Sequence, residues 1–209
     1  IEKFLNLQQP NYIIHAATRG GRRNREENID TYKNNVNMFS NLLKFQIPLI
    51  TFCSGAIYDK SKAIDGPKEN EIGRNLPIDW YGKSKFEIRQ IAQENNNVTL
   101  LRFFNCFGPL ESEDRFIKTN LRNYINRKPL VVFRDFVMDF FYVKDVLPVL
   151  KSILSKKIEE KEINLVYKEK RSLISICNTI NRLSNYQVPV QVNNFIKGSD
   201  YYGDGELLN

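Results

Sequence analysis

Cysteine and histidine are both scarce in this chain. Its 209 residues hold three cysteines, Cys53, Cys106 and Cys177, and a single histidine, His15. The cysteines are odd in number and scattered, and none has metal-ligand spacing, so neither a disulfide scaffold nor a zinc site is expected. Free thiols in a reducing cytosol are the simplest account, and a cytoplasmic protein is the expectation. No apolar run reaches membrane-spanning length and no secretory-signal pattern opens the chain, so no membrane partner is expected. There is no internal repeat, low-complexity segment or flexible linker. A glycine-rich phosphate loop of the GxxGxxG kind is missing as well.

What is present fits a well-packed globular chain. Apolar residues make up 42% and charged residues 26%, ordinary values for a soluble protein. The formal charge is +7. Part of it is a cluster, Arg19, Arg22, Arg23 and Arg25, in a short loop with Gly20 and Gly21. Such a loop attracts a diphosphate or is simply solvated. The remaining lysines are spread among acids, without a basic face interleaved with aromatics, so a nucleic-acid partner is not expected. The chain opens at Ile1 without Met and closes on a polar turn at Asn209. Part of a longer protein is the expectation.

The apolar pattern alternates between strand and helix. Ile1–Gln8 reads as the tail of an amphipathic helix ended by Pro10. Asn11–Ala17 reads as a buried strand, Asn28–Phe45 as a helix, Pro48–Ser54 as a strand, Asp79–Ala92 as a helix and Val98–Asn105 as a third strand. Strands apolar throughout and alternating with helices predict an α/β fold with a parallel sheet. Ligands of such sheets bind at the carboxyl ends of the strands, here Ala16/Ala17, Ser54 and Phe104/Asn105. Downstream, helices are expected at Asp114–Arg127, Lys144–Ser155 (with Pro148 in the first turn) and Ser172–Ser184. Short strands are expected at Leu130–Phe133, Asp139–Val143, Glu162–Val166 and Val188–Val192.

The chemistry concentrates in DWYGKSKFEIRQIA, residues 79–92. Tyr81 and Lys85 stand at i and i+4 and share one helix face with Ile88, Ile91 and Ala92. A buried ammonium beside a phenol favours the phenolate. A tyrosine tuned in that way exchanges a proton with an alcohol or ketone, the acid–base half of a hydride transfer. The spacing alone is weak, because Tyr58/Lys62 and Tyr124/Lys128 share it. His15 reads as a strand residue near the site rather than a catalyst.

The order of motifs resembles the extended short-chain dehydrogenase/reductases, in the nucleotide-sugar epimerase/reductase branch. The segments that carry the likeness are YIIHAA (12–17), Asn34-Asn35-Val36, SGAIY (54–58), YGKSK (81–85), LRFFNCFGP (101–109) and MDFFYVKDV (138–146). The resemblance implies a Rossmann-like, doubly wound parallel sheet whose first strands are not in this sequence, with a smaller C-terminal substrate lobe. Residues 1–109 would form the dinucleotide-binding core and residues 110–209 a mixed α/β substrate-binding part interleaved with it. It implies Ser54, Tyr81 and Lys85 as catalytic residues. Ala16, Ala17, Asn35, Tyr81, Lys85 and Phe104 would contact an NAD or NADP cofactor, and Asn35 would either do so or stabilise the central sheet. Ser54, Asn105 and Arg134 are the candidate substrate contacts, and no metal is implied. A homodimer through the Tyr81 helix and the helix before it is also implied.

Departures from the family pattern narrow the chemistry. Gly55-Ala56 replaces the acidic pair of the 4,6-dehydratases. Ala56 stands where the 3,5-epimerase/reductases have a cysteine, and no histidine follows His15. Met138 replaces the usual arginine of its segment. The resemblance therefore leaves NAD(P)-dependent reduction of a nucleotide-linked 4-keto sugar at C4, as in surface-polysaccharide synthesis, with 4-epimerisation as the alternative. A non-catalytic member of the fold, binding a sugar nucleotide or a protein, is the third reading.

Overall fold

The computed structural model describes residues 2–21, 26–72 and 76–208. Three members of the basic cluster, Arg22, Arg23 and Arg25, lie outside the described residues. In chain order the elements are α1 (Glu2–Gln8), β1 (Ile13–His15), α2 (Ile29–Leu43), β2 (Leu49–Ser54), β3 (Ile64–Asp65), α3 (Trp80–Gln93), β4 (Val98–Phe103) and β5 (Cys106–Phe107). They continue with α4 (Phe116–Ile125), β6 (Leu130–Val132), β7 (Phe141–Tyr142), α5 (Val146–Leu154), β8 (Glu162–Leu165), α6 (Leu173–Ile180), β9 (Val190–Val192) and β10 (Tyr201–Tyr202). The α/β class with a parallel, Rossmann-like sheet is as the sequence led one to expect. No described helix is long and apolar enough to cross a membrane.

The chain forms two compact units. The first holds Ile1–Lys60, Glu69–Phe103 and Glu159–Asn164. Its sheet runs β1-β2-β4-β8, with β1/β2 and β2/β4 parallel. Leu49, Ile50, Leu100 and Leu101 are almost fully buried in its two central strands, as continuous apolar strands of a covered sheet should be. Asn28 starts α2 by accepting the Asp30 N–H at 3.0 Å, a side-chain cap for an otherwise unpaired donor. Asp79 does the same for α3, accepting the Gly82 N–H at 2.8 Å.

One strand differs from expectation. The run Asn11–Ala17 was expected as a buried strand, yet only Ile13–His15 joins the ladder. Among the described residues β1 pairs on one side only. Ile14 is exposed, and His15 alone of the three is buried.

The second unit holds Ser61–Lys68, Phe104–Ile158 and Leu165–Asn209. Three short parallel pairs, β3/β10, β5/β7 and β6/β9, frame it. Its core joins Tyr124, Leu130, Val132, Leu173, Cys177, Ile180 and Val188. Helix α6 ends at Ile180, short of the expected Ser184. There the Asn181 amide pairs with Val188 in both directions, at 2.9 and 3.0 Å. That side chain substitutes for a strand partner and turns the chain out of the helix. β3, β5 and β10 are two-residue strands that no periodicity announces.

Candidate active site

Strand β2 delivers Ser54 in extended conformation, φ −144° and ψ 147°, and a short 3-10 turn, Gly55–Ile57, follows. The Ser54 hydroxyl accepts the Ala56 N–H at 3.1 Å. Helix α3 starts directly against this turn. Gly82 makes that possible, since a Cβ there would press on the Ala56 carbonyl and approach Pro77 Cβ to 2.7 Å. Close backbone approach at a glycine thus sets Tyr81 beside Ser54.

The Tyr81 hydroxyl hydrogen-bonds with the Ser54 hydroxyl and also with that of Thr18. Burial pushes the phenol up to about 12, against the opposing effect of these two hydrogen bonds. Lys85, one turn on, is buried, donates to the Phe52 carbonyl at 2.9 Å and stands 5.7 Å from the centre of the Tyr81 ring. Burial holds its ammonium below the usual lysine range. The sequence led one to expect a phenol lowered by Lys85. The phenol is raised instead: desolvation is the largest cause, and the negative charges of Cys53 and Glu27 act in the same direction.

Asn35, on α2, is fully engaged with the protein. Its oxygen accepts the Arg19 N–H at 2.8 Å, and its amide donates to the Arg19 carbonyl at 2.9 Å and to Ser84 Oγ at 3.0 Å. Ser84 in turn donates to the Tyr81 carbonyl at 2.7 Å. Asn35 thus ties the loop after β1 to the Tyr81 helix. Ala16 and Ala17 follow β1 and are exposed. His15 Nδ1 lies 3.1 Å from Thr51 Oγ1, and Nε2 is buried without a partner among the described residues.

The other candidates belong to the second unit. Phe104 is buried there, edge-on to Tyr201 with ring centres 5.4 Å apart. Asn105 donates to the Asp139 carbonyl at 3.0 Å and accepts from Arg115 at 3.3 Å. Arg134 is exposed, its guanidinium 5.6 Å from the Phe133 ring centre. Thr18 and Glu27 escaped sequence reasoning, although both reach Tyr81. Glu27 accepts the Tyr81 N–H at 3.3 Å and the Gly21 N–H at 2.7 Å. The pair of glycines just after a strand end was the one available signal.

Lys85 uses one of its three N–H groups among the described residues. Its remaining donors and the phenol are groups that could hold a ribose and a nicotinamide ring.

A UDP-glucose epimerase of Bacillus subtilis (strain 168), itself uncharacterized, is 21% identical to this chain over 153 residues, covering 68% of this chain and 48% of that protein. A GDP-6-deoxy-D-talose 4-dehydrogenase of Aggregatibacter actinomycetemcomitans is 23% identical, covering 100% of this chain and 76% of that protein. The chain thus spans less than half the length of the first relative. Among solved structures, the UDP-glucuronic acid 4-epimerase of Bacillus cereus, in complex with UDP-glucuronic acid and NAD, superposes with a TM-score of 0.75 at 20% identity. That superposition covers 98% of this chain and 68% of the epimerase, and it establishes a shared fold. The profile of one family matches residues 1–166, well over half the sequence, and the chain belongs to that family, the NAD dependent epimerase/dehydratase family.

Proposed function

We propose that this protein carries out NAD(P)-dependent oxidoreduction at C4 of a nucleotide-linked sugar, run as reduction of a 4-keto group. The observation that carries the reading is the geometry around Tyr81: its phenol meets Ser54 at the end of β2, and Lys85 stands one turn on, 5.7 Å from the ring centre. Ser54 orients the carbonyl oxygen. Tyr81 gives that oxygen its proton as it gains electron density. Lys85 holds the ribose hydroxyls of the cofactor and adds positive charge near the developing alkoxide. The bound nicotinamide supplies the hydride. Ala16 and Ala17 give the cofactor room. In the second unit, Phe104 keeps the cofactor role and Asn105 and Arg134 the substrate role that the resemblance implies. A cytoplasmic homodimer engaged in surface-polysaccharide synthesis completes the reading.

A second reading, 4-epimerisation, draws support from the UDP-glucose epimerase and UDP-glucuronic acid 4-epimerase named above. One experiment separates the two. The protein is incubated with nucleotide-linked 4-keto-6-deoxyhexoses and with UDP-hexoses, using nicotinamide cofactor deuterated at the transferable position. Stoichiometric cofactor oxidation with deuterium at C4 establishes the reductase. Interconversion of C4 epimers without net cofactor turnover establishes the epimerase. Absence of both, with sugar nucleotide still bound, overturns the enzymatic reading.

A further inference from the structure

We propose that Gly21 is a positioning residue for Tyr81: the two-glycine turn after β1 lies flat against the phenol ring and holds its hydroxyl toward Ser54. The inference rests on the reading of Tyr81 as the proton donor and adds a specific device to it. Gly20 and Gly21 both have positive φ, 85° and 73°, a conformation that other residues adopt only at a cost. A Cβ on Gly21 would lie 2.8 Å from Tyr81 Cζ and 3.0 to 3.1 Å from both Cε atoms. It would meet the end of the ring that bears the hydroxyl. A Cβ on Gly20 would meet the Thr31 methyl at 2.7 Å and Glu27 Oε1 at 3.1 Å, with the ring only in ordinary contact at 3.4 Å.

The turn is pinned at two points. Asn35 grips the Arg19 backbone through both its N–H and its carbonyl. The Glu27 carboxylate gives one oxygen to the Gly21 N–H and the other to the Tyr81 N–H. The turn and the first residues of α3 are therefore tied to one side chain. The ring cannot swing toward the turn without moving Gly21. With Ser54 on its other partner side, the hydroxyl is fixed where a reacting oxygen would be met. Misplacing a catalytic group by about 1 Å lowers turnover about a hundredfold.

The two glycines give a built-in control. Gly21→Ala and Gly20→Ala suffer the same kind of backbone penalty, but only the first pushes on the ring. The protein is labelled with 3-fluorotyrosine, and the Tyr81 resonance is identified by its loss in Tyr81→Phe. Gly21→Ala is expected to shift that resonance and to lower kcat about a hundredfold, with KM for the cofactor within about twofold. Gly20→Ala, which presses on Thr31 and Glu27 rather than on the ring, is expected to shift the resonance less and to lower kcat less than Gly21→Ala does. Should Gly21→Ala fail to fold, Glu27→Ala unties the turn without adding an atom, and the same resonance must move. An unmoved resonance in the folded variant, or equal effects of the two glycine variants on resonance and kcat, overturns the proposal. The resonance reads the ring's surroundings, so it reports on the turn even where no sugar substrate turns over.

Discussion

The Lys85 ammonium points its hydrogen bond at the Phe52 carbonyl, 2.9 Å away, while lying 5.7 Å from the centre of the Tyr81 ring. Burial drives both side chains toward their neutral forms, the phenol up to about 12 and the ammonium downward. The phenol therefore carries the proton that a reacting carbonyl oxygen would take. Tyr81→Phe is expected to lower carbonyl reduction by roughly 10²–10⁴-fold, the span of general acid catalysis. The lost hydroxyl contacts cost about 1 kcal/mol of stability. Steady-state assay and urea unfolding check the two parts; turnover within tenfold of the parent would falsify the acid role. The same shift has a stability signature with a definite sign. Between pH 10 and about 12 the folded chain holds the Tyr81 proton that the unfolded chain has released, so stability falls as pH rises through that window. The parent should lose more stability there than Tyr81→Phe does.

Removing the charge of Lys85 separates function from stability. A buried ammonium with one hydrogen bond carries a desolvation cost that its single carbonyl partner offsets only in part. Lys85→Met keeps the length and drops the charge. Dinucleotide affinity, read by fluorescence titration, should weaken, while the urea midpoint should hold or rise. Unchanged affinity would remove Lys85 from the cofactor site.

Much of this arrangement was legible in the sequence, for physical reasons. Strands β2 and β4 are mostly apolar because both faces are covered, with Thr51 and Arg102 the buried exceptions. The Tyr81/Lys85 spacing is set by the turn of α3, so one face was predictable. What escaped is what sequence separation hides. Nothing in the run Thr18–Glu27 says that Glu27 reaches across to the first turn of α3, or that Gly21 lies on the phenol ring. The phenol's raised pKa was missed because the argument from charge ignored how far burial excludes water from Tyr81. β1 was overextended because apolar composition alone does not mark where a ladder ends, here at His15.

A buried charge network beneath α3 offers a stability test. Arg102 is fully buried on β4; it donates to Asn164 at 2.7 Å and pairs with Glu162. Arg89 of α3 also reaches Glu162, at 2.7 Å. One carboxylate therefore serves two guanidinium groups. Glu162→Gln leaves both cations without that partner and should cost about 3–5 kcal/mol, as broken buried pairs do. Arg102→Met, which removes a cation and leaves Arg89 paired, should cost less. Urea unfolding of the two variants decides it, and the reverse ranking would show that packing around Arg102 matters more than its charge.

His15 is the one histidine in the sequence, which makes its titration readable without assignment. Its ring is buried on β1, stacked 6.5 Å from Phe39, with Nδ1 against Thr51 and Nε2 without a partner among the described residues. Burial, and secondarily the charge of Lys85, hold its pKa below the usual 6.5. The folded chain therefore refuses a proton that the unfolded chain accepts. Stability from this source is complete above pH 6.5 and is lost as pH falls through the lowered value. The ring proton signals should titrate below 6.5 by NMR, and His15→Gln should flatten the acid limb of the stability curve. Lys85→Met should move the midpoint upward, since it removes the secondary cause while leaving most of the burial. A midpoint at or above 6.5 in the parent would mean that water reaches the ring, and an unmoved midpoint in Lys85→Met would leave burial as the sole cause.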